Sequence, residues 1–191
     1  MIASMLTLSF KEVAKARIYD EYAIHRTVYD LFPGSNREFL FYKFPYPGRK
    51  GIKILLLSVS QPQIPSFGKI ESKRVPQEFL EHQYYAFKVK LNPVVRSGQK
   101  TSAITGYEPL ITWFTEKQEN WGFIANPSRL ELSEMGAYKI DKSGTNLTFN
   151  QCTYSGVLEV IDQGRFIKGF EKGIGRGKGF GFGLLQLRPL T

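Results

Sequence analysis

A succession of strand and helix signals runs along the chain twice, and it limits the fold more than any other feature. In the first half, loose alternation over residues 2–10 predicts a strand. Residues 15–32 carry apolar side chains at spacings of three and four, which predicts one helix that ends at Pro33-Gly34. The rest of this half is predicted to contain strands at 39–44 and 53–60, a loop at 61–76, a short helix at 77–83 and a strand at 84–91.

The second half repeats this order after a segment rich in glycine, proline and small polar residues, the predicted linker 93–106. It is predicted to contain a helix at 108–121, strands at 129–133, 138–141 and 147–161, a short helix at 162–171, a glycine-dense loop and a last strand at 182–187. Strand, helix, strands, short helix, strand is the pattern of a ferredoxin-like domain. We therefore predict an α+β fold with two tandem ferredoxin-like domains, at residues 1–92 and 107–191.

The charge balance limits the partners of the chain. It has 26 Lys and Arg against 17 Asp and Glu, a net charge of +9, and the excess is shared by both halves. This distribution suits a folded surface that holds a polyanion, although a merely basic globular protein has the same balance. The single cysteine, Cys152, excludes an intramolecular disulfide. With no signal peptide and no apolar run of membrane length, we predict a cytoplasmic protein that does not bind membranes.

Tyr22 and His25, on the first predicted helix, are the leading candidates for chemistry. Three residues apart, their side chains are neighbours on one helix face. Cutting RNA without a metal needs one group that takes the 2′-hydroxyl proton and one that protonates the leaving 5′-oxygen. Histidine suits either task, because its ordinary pKa is about 6.5. On the pattern alone, a core histidine on an apolar stripe is the favoured interpretation.

The segment from Gly173 to Gly183 has a glycine at every second position. Such a backbone can approach a phosphate closely and offer N–H donors, and Arg176 and Lys178 add positive charge. The run that ends at Phe182 matches the start of the RNP1 signature of RRM proteins, but the match fails immediately afterwards. Two other glycine-rich nucleotide motifs do not fit. Tight packing of a helix on a strand is the alternative explanation of the glycines.

Arg129, Lys139 and Lys142 lie in or beside a predicted hairpin whose turn is marked by Ser143-Gly144. A basic hairpin can enter the groove of an RNA stem or follow its phosphates, and an ordinary solvated hairpin has the same pattern. Metal catalysis has little support, because the carboxylates are scattered and no histidine cluster has metal-ligand spacing. We therefore predict neither a metal site nor a cofactor.

Short blocks match the signature of one known family in order over nearly the whole chain. The blocks are Tyr22–His25, Leu31–Pro33, Arg37–Phe41, Phe87–Pro93, Tyr154–Leu158 and Leu184–Leu187. Together they resemble the CasE family of the type I-E CRISPR system, and their order is more specific than any single block. In that family the block at Phe87–Pro93 corresponds to the strand that closes the first domain.

The resemblance implies two RRM-related ferredoxin-like domains and recognition of a repeat hairpin in precursor CRISPR RNA (crRNA). It implies one metal-independent cut at the 3′ base of the stem, with a 2′,3′-cyclic phosphate and a 5′-hydroxyl as the ends. The mature crRNA then stays bound and enters the Cascade complex together with the other Cascade subunits. Outside that complex we expect a monomer.

By position, the resemblance places the catalytic histidine at His25 and the active-site tyrosine at Tyr22. Some relatives carry a basic residue five positions after the histidine, where this chain has Asp30. The identity of the cation that stabilises the phosphate in the transition state is therefore left open. The candidates for it are Arg26, Arg37 and Lys178.

RNA contacts are predicted for those three residues and for four others, namely Arg129, Lys139, Lys142 and Arg176. Two alternatives stay open. One is a non-catalytic RRM-like RNA-binding protein that stacks bases on Phe180 and Phe182. The other is a structural subunit whose basic surface serves assembly alone.

Overall fold

A computed structural model describes residues 1–34, 37–45, 51–98, 100–142 and 144–190, with the Lys142 side chain excepted. The chain divides into two compact units. The first comprises residues 1–75, 140–147 and 179–181, and the second comprises residues 76–139, 148–178 and 182–191.

The first unit contains a four-stranded antiparallel sheet. Its strands are β1 (Ile2–Leu8), β2 (Phe39–Lys43), β3 (Ile52–Ser58) and β4 (Lys69–Arg74). They are arranged in the order β2-β3-β1-β4, which is the order of a ferredoxin-like fold. Alternate residues of β1 are buried, as expected for a strand with one face on a core.

Two helices connect β1 to β2 where the sequence predicted one. Helix α1 (Phe10–Lys15) begins at a capping box in which Ser9 and Glu12 bond each other's backbone N–H groups. Helix α2 (Glu21–Tyr29) begins at Asp20, whose side chain accepts from the backbone N–H of Ala23. Between the helices, Arg17 has a φ of 52°, which a continuous helix does not permit. The predicted single helix at 15–32 is therefore wrong.

The buried core of the first unit is mainly aliphatic. It is formed by Leu6, Leu8, Ile18, Ala23, Ile24, Val28, Leu31, Phe32, Phe39, Phe41, Ile54 and Leu56. The residues of this core that lie on α2 fix the rotation of that helix, so its remaining side chains have defined directions.

The second unit has a sheet with the same strand order. Its elements are β5 (Tyr84–Leu91), β6 (Val94–Ser97), β7 (Lys100–Ala103), α3 (Tyr107–Gln118), β8 (Phe123–Ala125), β9 (Glu131–Lys142), β10 (Thr145–Val160), α4 (Gln163–Lys172) and β11 (Gln186–Pro189). The sheet order is β11-β5-β10-β8, with β9 paired to β10. With β5, β8, β10 and β11 as strands one to four, this is again the ferredoxin-like order.

Strand β5 lies in the second sheet and not at the end of the first domain. It pairs with β10 on one side and with β11 on the other. Tyr85, Phe87, Val89 and Leu91 are buried from it, so it is a central strand of the second core. The predicted first domain, 1–92, therefore extends too far, because the first unit's N-terminal stretch ends at Val75.

Five other segments differ from the predictions. The predicted linker 93–106 contains the hairpin β6–β7, and the predicted loop 61–76 contains β4. The predicted short helix at 77–83 is a 3₁₀ turn at Gln77–Leu80. Strand β9 is continuous where two strands were predicted, and the last strand begins later than predicted, at Gln186.

The core of the second unit is rich in aromatic rings. Its members include Tyr85, Phe87, Phe114, Phe123, Tyr154, Phe166, Phe170 and Phe182. The rings of Phe114 and Tyr154 stack with centroids 4.6 Å apart, and the Tyr154 hydroxyl donates to the Leu110 carbonyl at 3.1 Å. None of the described helices combines the length and the apolar composition needed to cross a membrane.

Candidate functional site

Helix α2 presents Tyr22, His25 and Tyr29 on one side. Their spacings of three and four bring the three side chains into a row. Ala23, Ile24 and Val28 are buried, while the row beside them is only half-buried. The helix therefore holds His25 at the margin of the core and not inside it.

The imidazole of His25 is fixed from two directions. Its Nδ1 lies 2.8 Å from the carbonyl oxygen of Gly179, which belongs to the same unit. The ring stacks on Phe180 at 4.8 Å between centroids and contacts Tyr29 at 4.1 Å. Tyr22 lies nearly parallel to the imidazole at 5.7 Å.

The contact with Gly179 determines the tautomer of His25. A carbonyl oxygen only accepts, so Nδ1 must carry the hydrogen and donate it. In the neutral ring, Nε2 then holds the lone pair that can take a proton. In the imidazolium form both nitrogens are donors.

The glycine-rich segment approaches α2 closely enough that side chains would interfere. A Cβ atom on Gly179 would lie 3.1 Å from Tyr29 Oη and 3.2 Å from Arg37 Nη1. A Cβ on Gly181, where φ is +82°, would lie 3.0 Å from the Phe41 ring. The glycines thus bring the peptide that binds His25 close to a hydroxyl and a guanidinium group.

The other candidates on α2 have different surroundings. Arg26 is exposed, with its guanidinium group 5.5 Å from the centroid of the Tyr22 ring, a cation–π distance. Asp30, which occupies the position where some relatives have a basic residue, is exposed and forms the C-cap of α2. Arg37, the other candidate cation of the first unit, lies beside the Gly179 peptide that binds His25.

The other predicted RNA-contacting residues are distributed over several elements. Arg129 is exposed in a 3₁₀ turn, and Lys139 is exposed on β9. Arg176 and Lys178 line two different grooves. Lys142 ends β9, but its side chain lies outside the described residues.

The segment that suggested RNP1 does not have the structure of RNP1. Lys178–Phe180 forms a 3₁₀ turn and not a strand. Phe182 is fully buried, so it does not offer a face to a base, and Phe180 stacks on His25. The predicted base-stacking role of Phe182 is therefore wrong.

Two sets of residues near these sites were not predicted from the sequence. Tyr29 belongs to the apolar stripe of α2 and was interpreted only as part of it, although it follows His25 by one helical turn. The second set is a row of cations on α4 that lines a groove together with Lys178. Its members are Arg165, Lys168 and Lys172, and their spacing of three and four was the signal that could have identified them.

The fold and the site define a class of proteins: tandem ferredoxin-like domains in which a glycine-rich segment holds a half-buried histidine on the first unit. The chain belongs to the CRISPR associated protein family, whose sequence model matches residues 1–189. This finding agrees with the resemblance detected in the sequence.

Individual relatives match over nearly their whole length. The chain is 27% identical to the CRISPR system Cascade subunit CasE of Escherichia coli (strain K12), over 93% of this chain and 96% of that protein. The structure of Thermus thermophilus Cse3 bound to an RNA representing a pre-cleavage complex is similar at a TM-score of 0.83, with 20% identity and 98% of each chain covered. The CRISPR-associated protein Cas6e of E. coli K-12 is similar at a TM-score of 0.78, with 22% identity and both chains covered in full.

Proposed function

We propose that this chain is a metal-independent endoribonuclease that cleaves repeat hairpins in precursor crRNA and retains the mature crRNA as a Cascade subunit. Membership of the CRISPR associated protein family and the similarity to CasE support this function. The structural observation that carries it is the half-buried imidazole of His25, whose Nδ1 is held by the Gly179 carbonyl at 2.8 Å. In this proposal the protein is cytoplasmic and is a monomer outside Cascade.

In the proposed reaction, Nε2 of His25 takes the proton of the 2′-hydroxyl group at the cleavage site. The 2′-oxygen attacks the adjacent phosphorus, and the bond from phosphorus to the 5′-oxygen breaks. The leaving oxygen takes a proton from an acid, for which Tyr22 is the candidate. The products are a 2′,3′-cyclic phosphate and a 5′-hydroxyl group, and the Gly179 carbonyl stabilises the imidazolium that forms.

Arg37 is the proposed cation for the phosphate in the transition state. A guanidinium group is charged at any working pH and can bind two phosphate oxygens at once. Support comes from its position: Arg37 Nη1 is 3.2 Å from the Cβ position of Gly179, whose carbonyl binds His25. Arg26 has less support, because its guanidinium group lies on the Tyr22 ring.

Recognition of the hairpin is proposed to rest on shape and on phosphate contacts, because the deep major groove of A-form RNA is hard to read by side chains. The proposed contributors to these phosphate contacts are Lys139, on the long β-hairpin β9–β10, and Arg129. Lys142 belongs to the same β-hairpin. Binding should therefore weaken as the salt concentration rises.

Cleavage of a cognate repeat RNA in EDTA tests the proposal, with His25→Ala and His82→Ala compared in the same assay. His82 is the only other histidine, which makes it the matched control. We expect His25→Ala to lower the single-turnover rate by about 10²–10⁴-fold, the contribution of a positioned acid–base group. The hairpin Kd should stay within about twofold, and His82→Ala should cleave like the wild type.

A strict requirement for Mg²⁺, or a His25→Ala variant as fast as the wild type, would contradict the mechanism. Binding of hairpin and unstructured RNA without any cleavage would favour a non-catalytic RNA-binding protein instead. An isolated chain without RNA affinity would point to a structural subunit.

A further inference from the structure

The second unit contains a groove of about 440 Å³ whose charged lining is entirely basic among the described residues. The lining comprises Asn120, Trp121, Arg165, Lys168, Gly169, Lys172, Gly173, Ile174, Gly175 and Lys178. Three of its four cations come from one helix, α4, and the fourth comes from the 3₁₀ turn that follows it in the chain.

Helix α4 has two opposite faces. Phe166 and Phe170 are buried on one of them. Arg165, Lys168 and Lys172 share the other, because residues three and four apart on a helix are neighbours. From Arg165 to Lys172 the row extends about 10 Å along the helix axis, which is longer than one phosphate group.

Helix stability does not explain this row. Lys172 lies in the last turn, where a cation is favourable next to the helix dipole, but Lys168 lies in the middle of the helix. Lys168 and Lys172 are a like-charge pair at a spacing of four, which destabilises a helix slightly. Arg165 pairs with Asp162 at 3.2 Å on the exposed surface, where such a pair contributes little.

The remaining lining also suits a nucleic acid. Trp121 is half-buried, and an indole ring can stack on a base. Gly175, which is half-buried, has a φ of +71°, and backbone in such a conformation can offer an N–H group to an anion. Cations and an aromatic ring are the components of a groove that follows an RNA strand.

We propose that this groove binds the phosphate backbone of the retained crRNA, as a contact separate from the chemistry at His25. The proposal rests on the proposed function, because it takes crRNA as the ligand. A polymer fits better than a free phosphate or nucleotide, because four cations extend along two turns of α4 and the segment after it.

The test measures binding of a repeat hairpin whose cleavage is blocked by a 2′-deoxy nucleotide, at several salt concentrations. The test variant is Lys168→Ala/Lys172→Ala. The matched control is Lys73→Ala/Lys100→Ala, which removes two exposed lysines outside the groove and gives the same net charge. Lys168→Arg/Lys172→Arg keeps the charge in place.

We expect the test variant to bind roughly tenfold more weakly than the control at physiological salt. The slope of log K against log[salt] should become less steep by about 1.4–1.8, the value for two lost phosphate contacts. The arginine variant should keep the wild-type slope. Inorganic phosphate at millimolar concentration should not displace the hairpin.

A slope and an affinity equal to those of the Lys73→Ala/Lys100→Ala control would overturn the proposal. Displacement by millimolar phosphate would overturn it too, since the groove would then be a site for small anions. The readout is independent of cleavage: a wild-type chain that binds through these lysines but does not cut RNA would refute the nuclease and not the groove.

Discussion

The two units share one strand order but differ in the connection between their third and fourth strands. In the second unit, α4 connects β10 to β11. In the first unit, residues 59–68 connect β3 to β4 and contain no helix, and all ten of them are described. The extra helix of the second unit presents a row of cations, whereas the first unit presents its candidate chemistry on α2. In our proposals one fold thus serves two tasks, with the chemistry on α2 of the first unit and an RNA contact on α4 of the second.

The cores differ in a corresponding way. The first core is mainly aliphatic, and aromatic rings gather at its margin, where Tyr22, Tyr29 and Phe180 surround His25. The second core is built from stacked and edge-on aromatic rings with a buried thiol among them. The half-buried ring cluster around His25 therefore lies at the edge of the first core, whereas the aromatic rings of the second unit form the core itself.

The largest effects should come from glycines whose Cβ atoms would collide with backbone. At Gly51 in the first unit a Cβ would lie 1.8 Å from the Leu8 carbonyl oxygen, and at Gly183 in the second unit 2.3 Å from that of Ile174. Both have positive φ, at +105° and +81°. We expect Gly51→Ala and Gly183→Ala each to lower the free energy of unfolding by about 3–5 kcal/mol.

Urea denaturation followed by circular dichroism measures this effect, with Gly98→Ala as the control. Gly98 has a φ of +59° and no atom near its Cβ position, so its substitution should cost about 1–2 kcal/mol. If the two units fold independently, each colliding variant lowers one transition and leaves the other unchanged. A single unfolding transition that both variants lower would show that the two units unfold together and do not differ in this respect.

Arg37→Ala should have the next largest effect, and it separates chemistry from binding. Loss of a cation that stabilises the transition state should lower the single-turnover cleavage rate at saturating RNA by about 10²-fold. The salt dependence of hairpin binding should change by less than it does on loss of the α4 lysines. Arg74→Ala, which removes an exposed arginine from β4, is the control.

Arg37→Lys keeps the charge but not the planar pair of donors, so we expect it to recover only part of the rate. If Arg37→Ala cleaves at the wild-type rate but binds RNA weakly, Arg37 contributes to RNA binding and not to the proposed chemistry. RNA binding would then involve the first unit as well as the α4 lysines of the second unit.

Much of this architecture could be predicted from the sequence wherever a segment has a buried face. Strands β1, β5 and β10 and helix α3 carry periodic apolar residues, because one side of each packs on a core. Strands β4, β6 and β7 were missed because they are largely exposed, so no apolar alternation marks them. Strand β8 has a buried face and was missed because its three residues are too few to show a period. The assignment of β5 to the wrong sheet has another cause, since pairing partners far away in the chain determine it.

The candidate site, too, could be predicted only where its residues are close together in the sequence. The positions of Tyr22 and His25 on one helix face follow from local spacing, which the sequence contains. The bond from His25 to Gly179 joins residues 154 positions apart, and no local pattern encodes it. Arg37 was one of three candidate cations in the sequence, and it gained support only from its place beside that glycine.

The smallest predicted effect concerns the thiol in the aromatic core. Burial raises the pKa of Cys152 from an ordinary 9.0 to about 11, and burial also raises the pKa of Tyr154. Above pH 9 the unfolded chain releases the thiol proton while the native chain keeps it, so the free energy of unfolding falls as pH rises from about 9 to about 11. For one group the slope is at most about 1.4 kcal/mol per pH unit.

Cys152→Val removes this titration with little change of volume. Urea denaturation at pH 8, 9 and 10 should therefore show a steeper decline for the wild type than for the variant, with the difference confined to pH values above 9. Iodoacetamide at pH 8 should label the thiol slowly until urea unfolds the second unit, because a buried thiol with a raised pKa is seldom ionised. Equal slopes for both proteins, together with rapid labelling of the native chain, would mean that the second core admits water as readily as the margin around His25 does.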